Sequence, residues 1–197
     1  MRTLLAAALV CAAAPALADP TDKQVEEVLK RDLHPRGQAT MDRIEQDELQ
    51  RACTDAHDNP SPALAKRLEA EQMRTIRYPE GSLIGDWKRG EALAQSGRGL
   101  TWSDKPGAPS GGSCYNCHEL SPSELSYGTI GPSLRRFGKT RGNGPEVQKY
   151  VYGKIYNAKA YSACSQMPRL GTSGTLTPEQ IKDLVALLLD PGSPVNQ

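Results

Sequence analysis

The chain has 197 residues, 24 of them basic and 23 acidic, with 38% apolar residues and a net charge of +1. Near-neutral charge argues against a general nucleic-acid binder, and no apolar run reaches the about 20 residues needed to cross a bilayer. The length allows one domain core plus a substantial extra segment.

The chain opens on a secretory pattern. Arg2 supplies the positive start, Leu4 to Ala14 is a short apolar run, and Ala16-Leu17-Ala18 predicts cleavage after Ala18. Cys11 raises a lipid-bearing alternative, but Val10 before it is large and little positive charge precedes it, so plain cleavage is expected. Residues 19–197 are then an exported, periplasmic protein with 23 basic and 23 acidic residues.

Residues 19–81 read as a helical extension. Val25, Val28, Leu29 and Leu33 recur at helical spacing, and His34-Pro35-Arg36-Gly37 ends that helix. A second helix is expected from Thr40 through Met41 and Ile44 towards Cys53. Ser61 as cap and Pro62 at the first position begin a third, with Leu64 and Leu68 on its apolar face. With 14 acidic and 10 basic residues and few apolar ones before Gly81, the extension is expected to pack on the later core or on a partner.

Residues 82–197 carry the chemistry. A helix over 86–96 contains Gly90, which either permits a close helix crossing or is a tolerated surface glycine. A Gly/Pro/Ser-rich loop from Gly97 to Gly112 leads to Cys114-Tyr115-Asn116-Cys117-His118. This C-x-x-C-H run is the attachment signature of a c-type haem. Two thiols three residues apart fit one helical turn, each able to add to a porphyrin vinyl group, and His118 is placed to offer a nitrogen to the iron. A zinc half-site would need a second ligand pair, which His34, His57, Cys53 and Cys164 do not form in sequence. A thioredoxin-like motif would need a βαβ setting.

After Gly128-Thr129-Ile130-Gly131 comes Pro132, whose carbonyl is a free acceptor for the ring N–H of His118; an ordinary turn is the alternative. Pro145 opens another helix striped by Val147, Tyr150, Val151 and Ile155. Met167, in the loop Ala163-Cys164-Ser165-Gln166-Met167-Pro168, is the expected sixth ligand, since a Met thioether opposite His is a common electron-transfer pairing. Met41 and Met73 read as core filler. Cys53 and Cys164 remain once Cys114 and Cys117 hold haem; in an oxidising compartment they are expected to pair, the alternative being two buried thiols. Thr177-Pro178-Glu179-Gln180 begins a final helix with Ile181, Leu184, Val185 and Leu188 on its buried face, expected to cross the Gly90 helix. Asp183 and Asp190 read as solvated. Alternating strand patterns are scarce, so the class is all-α.

These residues carry a resemblance. Cys114-x-x-Cys117-His118, Ile130-Gly131-Pro132-Ser133-Leu134, Met167-Pro168 and a terminal helix together resemble a class I monohaem cytochrome c. More narrowly, Met167-Pro168-Arg169-Leu170-Gly171, Leu176-Thr177 and Ile181 to Leu188 resemble the SoxX family. The resemblance covers about residues 82–197; the extension, with Cys53, lies outside it. It implies the class I fold, one covalently bound haem c, and a partnership with a SoxA-type cytochrome. That partner's catalytic haem joins thiosulfate oxidatively to a cysteine of the SoxYZ carrier protein, the activity of an L-cysteine S-thiosulfotransferase. The chain would relay the electrons to a small acceptor cytochrome c, with no catalytic residue of its own.

The relay role also follows from the ligands. His118 and Met167 would fill both axial positions, leaving outer-sphere electron transfer. Eight basic residues lie between Arg135 and Arg169 against the single acid Glu146, which reads either as a rim steering an acidic partner or as solvation. Two other classes stay open: a free carrier serving another respiratory chain, and a haem-based sensor.

Overall fold

A computed structural model describes residues 20–197. Among them the chain is helical: seven α-helices and four short 3-10 turns, with a lone bridge between Arg36 and Ala39 and no strand. The leader segment and Cys11 lie outside the described residues. The chain divides into two units, one ending at His34 and the other running from Pro35 to Gln197.

The first unit contributes α1, Asp22–Asp32. Thr21 and Gln24 cap each other's backbone N–H groups, which satisfies two donors that a helix start leaves open. Val25 and Val28 are exposed.

The second unit begins its helices at α2, Glu48–Asp55, and α3, Pro62–Met73. The helix expected from Thr40 to Cys53 is instead a short turn, Met41–Ile44, followed by a separate α2. Asp47 and Gln50 explain the break: they form a reciprocal cap, so a start signal sits inside the expected helix. Leu49, Cys53 and Leu68 of these two helices share a small apolar cluster with Ala163.

The main core is built on α4, Trp87–Gln95, α5, Phe137–Arg141, α6, Pro145–Tyr156, and α7, Pro178–Leu189. Thr177 and Gln180 cap α7 reciprocally, with Pro178 in its first turn. Every residue from Asp183 to Leu189 is buried, so α7 is enclosed nearly all round rather than along one stripe. The reason is its neighbours: α4, α5, α6 and the C-terminal turn Pro194–Asn196 all pack on it. Each fully buried Leu, Ile or Val contributes about 1.5–3 kcal/mol.

Gly90 lies at the crossing of α4 and α7. A Cβ there would run into the Asp183 carbonyl and come within 3.0 Å of Leu187 Cβ, so the close crossing is what this glycine permits. Asp183 is not solvated, contrary to the sequence expectation. It is 5% exposed, accepts from Arg89 Nε and Nη2 at 2.8 Å each, and from the Asp86 N–H at 2.8 Å. Its partner Arg89 stands 94 positions earlier, beyond the reach of any local pattern.

Candidate functional site

Residues 113–134 fold back on themselves. Cys114–Asn116 form one 3-10 turn, and the N–H groups of Cys117 and His118 both donate to the Cys114 carbonyl, at 3.1 and 2.9 Å. The turn thereby keeps Cys114, Cys117 and His118 close. Ser113 enters it with φ 50°, in the left-handed region that a non-glycine residue seldom adopts, and its hydroxyl accepts from Asn116 Nδ2 at 2.6 Å.

Three backbone bonds then lay residues 128–134 alongside the turn. Gly128, Gly131 and Leu134 donate to the carbonyls of Tyr115, Cys117 and Glu119, each at 2.8 Å. This pairing brings the Pro132 carbonyl to 2.8 Å from His118 Nδ1. A proline carbonyl can only accept, so Nδ1 carries a proton, and in the neutral ring the lone pair is on Nε2. Nε2 has no hydrogen-bond partner among the described residues. Gly131 supports the ring from beneath: a Cβ at this position would fall on the imidazole.

Cys114 and Cys117 are unpaired and half-buried. Cys114 packs on the main core, and its burial pushes the thiol up to about 11, with a smaller push from Cys117. Tyr115 between them is buried, its hydroxyl has no partner, and burial raises it to about 12. Leu125 and Ile130, on the segment that returns to Pro132, are 100% and 80% exposed.

Met167 is half-buried and packs on the same core cluster as Cys114 and Leu134. Its backbone N–H donates to Ser165 Oγ at 3.2 Å. Cys164, three residues earlier, is joined to Cys53 with S–S 2.08 Å and Cα–Cα 5.5 Å. Cys53, Asp58 and Cys164 cluster closely enough to suggest metal ligands, but both sulfurs are spent on the disulfide. His34 belongs to the first unit, and His57 follows α2 in the second.

The basic run of 135–169 divides in two. Arg169 pairs with Asp47 at 2.6 Å and Arg135 with Glu119 at 3.2 Å. Lys159 donates to the Ser165 carbonyl at 2.9 Å and Lys154 to that of Ala158 at 3.4 Å; burial lowers the pKa of both lysines. Arg136, Lys139, Arg141 and Lys149 are exposed. Half of the run therefore serves the fold.

Sequence reasoning missed Asn157. It is fully buried and donates to Gln72 Oε1 at 3.0 Å and Thr75 Oγ1 at 2.9 Å, tying the end of α3 to the end of α6. It also missed the Asp47–Arg169 pair. No local pattern announces either one. A groove of about 540 Å³ lined by Arg89, Arg98, Ser110 and Gln180 lies elsewhere and includes no residue of the C-x-x-C-H turn.

Fold and site together define a helical protein built around a C-x-x-C-H turn whose histidine is fixed by a proline carbonyl. No family model matches the chain. A protein of Aquifex aeolicus (strain VF5) described as an uncharacterized lipoprotein is 41% identical over 155 residues, spanning 77% of this chain and 73% of that protein. The chain belongs to the family of that lipoprotein. No helix of the described residues is long and apolar enough to cross a membrane.

Proposed function

We propose that the chain is an exported c-type cytochrome of the class I fold, the SoxX-like subunit that relays electrons from a SoxA-type partner during thiosulfate oxidation. The observation that carries this reading is His118: Nδ1 is committed to Pro132 at 2.8 Å, Nε2 is left with a lone pair, and two unpaired cysteines sit on the turn just before it. That donor set fits a covalently attached haem. Zinc would need three or four converging ligand atoms, and Cys114, Cys117 and His118 do not form such a cluster among the described residues. Cys114 and Cys117 would each add S–H across a vinyl double bond, the sulfur bonding one carbon and the proton passing to the other. His118 and Met167 would be the axial ligands, and Pro132 fixes the tautomer of His118.

Bound haem supplies a one-electron couple. The residues around it do the rest. The Pro132 acceptor fixes the ring orientation and points Nε2 away from that bond, Gly131 leaves room for the ring, and α7 with Leu170 and Leu176 keeps the neighbourhood apolar. Were His118 and Met167 both to hold the iron, no ligand position would be left for substrate, and the site would be suited to outer-sphere transfer.

The sulfur-oxidation part rests on the Met167-Pro168-Arg169-Leu170-Gly171 and Ile181 to Leu188 blocks. A SoxYZ-like carrier and a small acceptor cytochrome would be the further partners. The relative's description as a lipoprotein favours export for this chain too. Cleavage after Ala18 is the proposed processing, with anchoring through Cys11 as the rival that the mass of the mature N-terminus distinguishes.

The test is purification of the exported protein from its native host with haem staining. A larger haem-staining chain should co-purify, and thiosulfate with the carrier protein should reduce the pair. A lone haem protein that is reduced without them is the free carrier instead. Carbon monoxide binding to the reduced wild type at neutral pH would make it a sensor.

A further inference from the structure

The loop carrying Met167 is gripped at both ends by α2, α3 and the residues flanking α2. On its leading side Cys164 is bonded to Cys53, 111 positions earlier, and the Ala163 N–H donates to Glu69 Oε1 at 3.2 Å. Beside the methionine, Gln166 Nε2 donates to Asp58 Oδ2 at 3.2 Å. On the trailing side Arg169 Nη2 meets Asp47 Oδ2 at 2.6 Å. Ala163 itself is buried against Leu49, Cys53 and Leu68. Four side chains of one earlier segment thus act on seven consecutive residues.

We propose that α2 and α3 brace the 163–169 loop, with Cys53, Glu69, Asp58 and Asp47 as positioning residues for the Met167 thioether. The inference rests on the reading of Met167 as an axial ligand and deepens it. Its physical reason is entropic. A short loop pinned before and after the ligand has few backbone states to lose when the thioether is held in one place, so a weak sulfur ligand stays in place without a strong bond. The extension then has a purpose inside this chain: it makes the sixth ligand dependable.

Two variants test it. The first replaces Cys53 and Cys164 with Ala together, so no free thiol remains. The second, Asp47→Ala with Glu69→Ala, keeps the disulfide and guards against misfolding of the first. Amide exchange in residues 163–171 should accelerate at least tenfold in the first variant and several-fold in the second. Amides of α7 and of the 114–118 turn should stay within twofold of wild type. In the oxidised haem protein the sulfur-to-iron absorption band should weaken in the same order, and reduced protein should begin to bind carbon monoxide. Equal acceleration in the loop and α7, or a loop unchanged in both variants, overturns the brace. A wild-type chain that carries haem but lacks the sulfur band overturns the axial-ligand reading and with it Met167 as the braced ligand, whatever the exchange rates.

Discussion

The segment 113–134 and the loop 163–171 are held by opposite means. The first is stitched to its own neighbours: Gly128 to Tyr115, Gly131 to Cys117, Leu134 to Glu119 and His118 to Pro132, the last across 14 positions. The second depends on residues 94, 108 and 111 positions earlier. The proposed haem site, which draws on both, would therefore be able to lose one half without the other. The histidine side is held largely by bonds within its own segment, which rests on the main core, whereas the methionine side also draws on Asp47, Cys53, Asp58 and Glu69.

The largest effect should come from cutting the distant tie. Replacing Cys53 and Cys164 with Ala removes a cross-link over a loop of 111 positions, which is expected to lower stability by about 2–5 kcal/mol in urea unfolding. A loss below about 1 kcal/mol would mean the loop is held without it, and the contrast with segment 113–134 would fade.

The local half is broken at Gly131. In Gly131→Val the side chain has to enter space held by the His118 ring, and overpacking of this kind costs about 3 kcal/mol. The His118–Pro132 bond should lengthen with it, seen as a changed imidazole NMR signal. An unaltered signal would remove Gly131 as the support of the ring.

Asn157→Ala sharpens the distant half. It strips Gln72 and Thr75 of a buried partner, and about 2 kcal/mol should be lost in the same unfolding assay. The loss should fall on α3 and the 158–171 region, with exchange in the 114–118 turn unchanged.

The smallest effect is electrostatic. Burial raises the Asp47 carboxyl, but the Gln50 N–H and Arg169 outweigh it and hold the group below the usual range. A depressed carboxylate pKa contributes stability that is complete above the unfolded value of about 4 and disappears as pH falls through the lower folded value. Asp47→Asn keeps the helix cap and removes only the charge. Its stability in urea should trail wild type at pH 7, by at most about 1 kcal/mol for a pair still partly open to solvent, and match it near pH 2. A gap that persists at low pH would point to the cap instead.

How much could be read from sequence follows the same division. The C-x-x-C-H turn, the Pro132 acceptor and the caps of α3 and α7 are short-range patterns, and their residues announce them. Residue 90 was ambiguous because a glycine at a crossing and one on a surface look alike until α7 is in place. Asp183 was misread as solvated and the Thr40 helix as continuous: the first has a partner 94 positions away, and the second hides the Asp47–Gln50 cap inside an apolar pattern. The brace left a single trace in the sequence, the odd pair of cysteines remaining after the motif. Asp47, Asp58 and Glu69 look like any acidic residues of a charged extension until the fold brings them to the loop.

The central claim is that Cys114 and Cys117 carry a porphyrin that His118 and Met167 ligate. It is tested most directly by intact mass and visible spectrum of the exported, mature protein under denaturing conditions. The account predicts a mass exceeding the processed chain by one haem, a Soret absorbance that survives denaturation, and no alkylatable thiol at 114 or 117. A mature chain of bare polypeptide mass, with both of those thiols free, would contradict it.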